Sequence, residues 1–126
     1  MKTFIISICM FFVLFLGVFY IQHTMESEIE RQEAMVFELY ETIKKGEWQK
    51  ADAIANAFEK EVMNKSFFYG MFVEHVDYDN LLTNTAQGVE FVYNRAKSDS
   101  TSQCKIILTL LEHMKDKSKV SLENLL

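Results

Sequence analysis

Positions 4–21 read FIISICMFFVLFLGVFYI, with no charge and one aliphatic hydroxyl, Ser7. As a helix at about 1.5 Å per residue this run spans roughly 27 Å, close to the hydrocarbon thickness of a bilayer. A helix satisfies its own backbone hydrogen bonds, as lipid requires, and Tyr20 lies where aromatic side chains anchor at the interface. The pattern then becomes periodic. Met25, Ile29, Val36, Leu39, Tyr40 and Ile43 recur at spacings near three and four, with Glu26, Glu28, Glu30, Arg31, Glu33, Glu38 and Glu41 between them. That is a helix with one buried stripe and a solvated outer face. No Gly or Pro interrupts the junction, so both segments are expected in one helix. Lys44 and Lys45 suit its C-terminus, and Gly46 suits the left-handed residue that closes it.

Trp48, Ala51, Ala55, Phe58 and Val62 form a second stripe, continued in phase by Tyr69, Phe72 and Val76. This predicts one long helix, bent near Gly70, with Asp77 capping the next. The third stripe is Tyr78, Leu82, Thr85, Val89, Val92 and Ala96, ending at Lys97-Ser98-Asp99. Ser100 and Gln103 match a capping box opening a fourth helix. Its face is Cys104, Ile107, Leu108, Leu111 and Met114, and Lys115, Lys117 and Lys119 favour its C-terminal end. Positions 120–126 (VSLENLL) read as one more turn folded against the rest. No stretch alternates with period two. The expected fold is all-α: a single N-terminal transmembrane helix (1–22) continuing into an antiparallel three- or four-helix bundle (23–126). Short connections at Gly46, near Asp77 and at 98–101 make neighbouring helices antiparallel.

Composition sharpens this reading. The 126 residues include no proline and four glycines, which permits long uninterrupted helices. Lys2 is the one charged side chain in the first 21 positions; the remainder carries all 18 acids and 12 of the 13 bases. An acidic body repels phosphate backbones, so nucleic acid is not an expected partner, and charge alone would not dock it onto anionic lipid. The apolar run could also serve a cleaved signal peptide. The following GVFYIQHTM, however, has no small-x-small site, and Ile8 before Cys9 does not fit a lipoprotein signal. An uncleaved signal-anchor is therefore expected, contacting lipid through residues 4–21. Positive charge before it and Glu26, Glu28 and Glu30 after it predict a single-pass cell-membrane protein with a cytoplasmic N-terminus and an extracytoplasmic body. Cys9 and Cys104 lie too far apart along the chain to suggest a disulfide framework.

Gly46-Glu47-Trp48-Gln49-Lys50-Ala51 resembles a helix start in a tetratricopeptide repeat, but one unit makes a helix-hairpin device and not a solenoid. A broader resemblance covers nearly the whole chain. It joins the N-terminal anchor, the acidic helix, the Gly-x-Trp-x-x-Ala turn and Phe72-Val73-Glu74-His75-Val76-Asp77-Tyr78-Asp79. It then continues to Leu110-Leu111-Glu112-His113-Met114 and Ser121-Leu122-Glu123-Asn124-Leu125. In order and spacing these resemble the domain of unknown function numbered four-three-six-three, small membrane-anchored helical proteins of spore-forming Gram-positive bacteria. The resemblance implies that Trp48, His75 with Asp77 and Asp79, His113 and Asn124 are recurring positions. It departs at Lys115-Asp116-Lys117-Ser118-Lys119, where the family is often acidic. It implies the architecture and no activity.

Four residues could carry chemistry. His75, Asp77, Asp79 and His113 would bind zinc or another divalent ion if the helix ends that hold them converge. The competing account is structural: histidines at helix C-termini answer the macrodipole, and the aspartates serve the next helix as cap and first-turn acid. Trp48 either anchors a partner or locks the hairpin by core packing. Positions 67–73 are apolar all round a helix, so Phe68 and Met71 are either a partner-binding surface or covered by another part of the chain. Glu59 and Glu61 point apart on a helix and form no acid/base pair. No catalytic or nucleotide-binding motif is present, so neither an enzyme nor a cofactor is expected. The leading expectation is a membrane-anchored protein-interaction or scaffold module. The alternatives are a metal-binding sensor or enzyme using His75 and His113, and a structural bundle that self-associates.

Overall fold

The structure, a computed structural model, describes the backbone of residues 1–125 and the side chains of 1–66, 69–71 and 73–119. The described residues form five α-helices and no strand: α1 (Lys2–Lys44), α2 (Trp48–Asn64), α3 (Ser66–Phe72), α4 (His75–Tyr93) and α5 (Lys97–Leu125). The expected all-α class is the observed one. At 43 residues, α1 is about 65 Å long and unbroken. Residues 1–20 are all exposed, whereas Met25, Ile29, Val36, Leu39 and Ile43 on the same helix are buried. α1 is long and apolar enough to cross a membrane.

The second half of α1, with α2, α4 and α5, makes a four-helix ring. α1 packs against α2 and α5, and α4 packs against the same two. Successive helices run antiparallel, because each connection is too short to cross the bundle. One pole lies next to the apolar segment and is here called proximal. It gathers the start of the bundled part of α1, the end of α2, α3, the start of α4 and the later turns of α5. The distal pole holds the α1–α2 and α4–α5 turns. Ile29, Val36, Phe58, Val62, Leu81, Val92, Ile107 and Leu111 fill the core between the poles.

Both distal turns are Schellman closures. Gly46 has φ +75°; its N–H donates to the Ile43 carbonyl at 2.9 Å, and the Glu47 N–H donates to that of Thr42 at 3.2 Å. At the end of α4, Arg95 takes the left-handed position at φ +60°. Its N–H donates to Val92 at 3.0 Å, and the Ala96 N–H donates to Phe91 at 3.0 Å. The two bonds satisfy carbonyls that the helix end leaves open.

Several sequence expectations are corrected. The single helix through 48–76 is instead cut twice, at Lys65 and at the extended pair Val73 and Glu74, and Gly70 lies inside α3. The in-phase stripe misleads because Tyr69 is buried by α3 turning back under the bundle, whereas Val76, counted on the stripe, is 66% exposed. Asp77 is not the cap of α4; Glu74 holds that position, and Asp77 is the first-turn acid. The box at Ser100 and Gln103 does not open α5, which begins at Lys97 after a turn at 94–96. The Ser100 hydroxyl donates to the Lys97 carbonyl, and Gln103 reaches across to Asn84. The α4 stripe is centred on Leu81, Thr85 and Gly88, with Leu82 and Val89 only half-buried at its flank. Positions 120–125 continue α5 and form no separate turn.

Candidate functional site at the proximal pole

At the proximal pole Gln32 and Asp77 are drawn into the fold. Val73 and Glu74 adopt extended backbone (φ −125°, ψ 145° and φ −61°, ψ 139°), which reverses the chain between α3 and α4. The reversal sets Asp77 in the first turn of α4, facing α5. A cleft of about 120 Å³ opens there, lined by Met25, Val73, Glu74, Asp77, Met114, Lys117 and Ser118. Asp77 is only 8% exposed. Lys117 Nζ lies 3.1 Å from its Oδ2 and 3.3 Å from Glu74 Oε2. The hydrogen bond to Asp77 raises the Lys117 ammonium above the usual lysine range, with Glu74 adding to it.

Lys117 belongs to a set. Lys115 bridges Glu33 at 3.1 Å and Lys119 bridges Glu26 at 3.2 Å, both on α1. The three lysines therefore tie α5 alternately to α1 and α4, and this contact replaces the expected role of answering the α5 dipole. Above the cleft, the Tyr69 hydroxyl donates to Gln32 Oε1 at 2.5 Å, and the Tyr69 and Tyr78 rings lie 5.4 Å apart. The Tyr78 hydroxyl donates to the Val62 carbonyl at 3.2 Å. Burial raises the pKa of both tyrosines, so each stays protonated as a donor. Gln32 is fully buried, and among the described residues its Nε2 has no hydrogen-bond partner.

The histidines sit otherwise than expected. His75 is the first residue of α4, and His113 lies in the middle of α5, so neither is at a helix C-terminus. Both are exposed, as is Asp79, while the Asp77 carboxylate is engaged by Lys117. Among the described residues, no three or more His, Cys, Asp or Glu side chains gather as a metal set. Met71 is 60% exposed; the side chain of Phe68 and that of Asn124 lie outside the described residues. Trp48 is half-buried against the core. The Arg95 guanidinium stands 5.6 Å from its ring centroid, and Arg95 Nη1 lies 3.0 Å from Asp52 Oδ2. Trp48 thus joins the two distal turns.

A groove between α2 and α4 was not anticipated. It has a volume of about 430 Å³ and is lined by Asp52, Ala55, Asn56, Val89, Glu90 and Tyr93. Tyr93, at its rim, is 73% exposed. The available signal was an aromatic one position beyond the buried Val92, out of phase with the stripe. A family model described as Domain of unknown function (DUF4363) matches residues 19–125. No curated protein and no solved structure matches the chain.

Proposed function

The chain belongs to this family, a domain of unknown function, and from that premise we propose a membrane-tethered, non-enzymatic interaction module. Residues 4–21 cross the bilayer, and the bundle stands on the outer face of the cytoplasmic membrane and engages another protein there. The observation that carries this reading is the division of α1. Its residues 2–20 are all exposed, and the later part of the same unbroken helix is a wall of the core. An apolar surface of that extent left in water would be strongly unfavourable, whereas lipid matches it in length and polarity. The continuous helix also places core residue Met25 four positions beyond the apolar run, so removing the run as a signal would leave the bundle's first turn ragged. Tethering confines the module to two dimensions and raises its effective concentration near membrane neighbours.

The α2–α4 groove supplies a candidate contact. Tyr93 is a large amphipathic side chain, of the kind that anchors interfaces, beside Val89 and Glu90. A photo-crosslinking residue at Tyr93 in native membranes is expected to give a heteromeric band. A ladder of identical subunits would replace the partner reading with self-association. A C-terminal topology reporter should read outside, and the chain should stay with lipid after carbonate washing. Release into the wash would end the tethered reading.

A further inference from the structure

We infer that the α2–α3–α4 corner rests on the bilayer leaflet from which α1 emerges, with Met63, Met71 and Val76 in its headgroup layer. This rests on the reading of residues 4–21 as a bilayer span. Heights along α1 come from its contacts. Met25, which shares the cleft with Val73, lies four residues past Ile21, about 6 Å beyond the hydrocarbon edge for a helix near the bilayer normal. Glu28, within 3.5 Å of Lys65 at the α2–α3 junction, lies about 10 Å beyond it. The headgroup layer is about 5–7 Å thick on each side. Both ends of α3 are therefore level with that layer or just above it.

The face that α3 turns downward follows from Tyr69. Its hydroxyl reaches Gln32, seven residues further from the membrane than Met25, so Tyr69 points up into the bundle. Met71, two residues on, is rotated by about 200° from it on a helix of 3.6 residues per turn. It points away from the core, which at this pole is toward the lipid. Met71, Val76 and Met63 are 60%, 66% and 58% exposed, a large apolar share for neighbours of one short connection. Much of the negative charge around this pole is paired: Glu26, Glu28, Glu74 and Asp77 each have a lysine or arginine partner, while Asp79 and Asp116 are exposed.

The full chain, reconstituted in phosphatidylethanolamine/phosphatidylglycerol nanodiscs, tests the inference by nitroxide accessibility. Single labels are placed at Met71→Cys, Val76→Cys and Tyr93→Cys in a Cys9→Ser, Cys104→Ala background. A chain retaining Cys9 alone labels the apolar segment. The ratio of collisions with oxygen to collisions with a water-soluble nickel chelate should be highest at Cys9. It should be several-fold higher at positions 71 and 76 than at 93. If Cys9 reads as lipid while 71 and 76 match 93, the corner stands in water and the inference is overturned. If both reagents are excluded at 71, protein covers it, and the inference is again overturned. An aqueous reading at Cys9 would remove the tethered reading and this one together. Unchanged circular dichroism of each labelled chain certifies that the bundle is folded.

Discussion

The buried pair Gln32 and Tyr69 offers the sharpest test of how α3 is held. Replacing Tyr69 with Phe removes a donor to Gln32 Oε1, on an amide whose Nε2 has no partner among the described residues. The whole amide would then be buried without compensation, a cost of about 1–3 kcal/mol. Against a total of about 5–10 kcal/mol for a bundle of this size, that is a large fraction. With a urea slope of about 1–1.5 kcal/mol per molar, the midpoint should fall by about 1–2 M. Gln32→Leu removes the unpaired amide but also the acceptor of the buried Tyr69 hydroxyl, so the single change should destabilise as well. The double variant, Gln32→Leu with Tyr69→Phe, should recover most of the loss, giving a coupling of about 1–2 kcal/mol in the cycle. The assay is urea unfolding of the full chain in nanodiscs, followed by far-ultraviolet circular dichroism. A Tyr69→Phe midpoint equal to wild type, or a double variant no better than Tyr69→Phe alone, would refute the argument.

Other expectations follow from single positions. Arg95 occupies a left-handed position, so Arg95→Gly should be more stable than Arg95→Ala by about 1 kcal/mol, read as a difference in Tm. Equal Tm values would mean that the Asp52 and Trp48 contacts alone decide the residue. A Cβ added at Gly88 would sit 3.4 Å from Gln103 Cγ and 3.5 Å from Ile107 Cδ1. Gly88→Ala should therefore fit, and stabilise by up to about 1 kcal/mol in urea titrations, whereas Gly88→Leu should destabilise. Burial pushes the Cys104 thiol up to about 11 from 9.0. Above pH 9 the unfolded chain loses this proton while the folded chain keeps it, so stability should fall by about 1.4 kcal/mol per pH unit up to about 11. The raised pKa values of Tyr69 and Tyr78 add losses of the same sign above pH 10. Comparing urea midpoints at pH 8 and 10.5 should show a smaller drop for Cys104→Ala than for wild type.

Helix content and most of the core were legible because burial repeats at helical spacing. Ala51, Ala55, Phe58 and Val62 on α2, and Cys104, Ile107, Leu111 and Met114 on α5, are the residues the stripes select. The Gly46 closure was legible because few residues adopt positive φ without cost; the matching closure at Arg95 was hidden because arginine does not announce it. The breaks at Lys65 and Val73 carry no Gly or Pro. Periodicity cannot separate a helix that continues from one that folds back and buries the same side chain, and Tyr69 satisfies both. Gln32 escaped because a polar residue on an apolar stripe reads as surface until its partner, 37 positions away, is known. A similar distance hid Asp77. Its Lys117 partner lies 40 residues on, so the sequence supports a cap or a metal ligand as readily as a cross-helix ion pair.

The ring of helices has a consequence for synthesis. α1 neighbours α2 and α5, so one seam joins the first helix of the bundle to the one made last. Until α5 emerges from the ribosome, the stripe from Met25 to Ile43 has cover on one flank only, and Glu26 and Glu33 await Lys119 and Lys115. At about 5–20 residues per second, the nascent chain spends several seconds in that half-closed form. A premature stop before Lys97 would leave it there for good, a barrel missing its final stave.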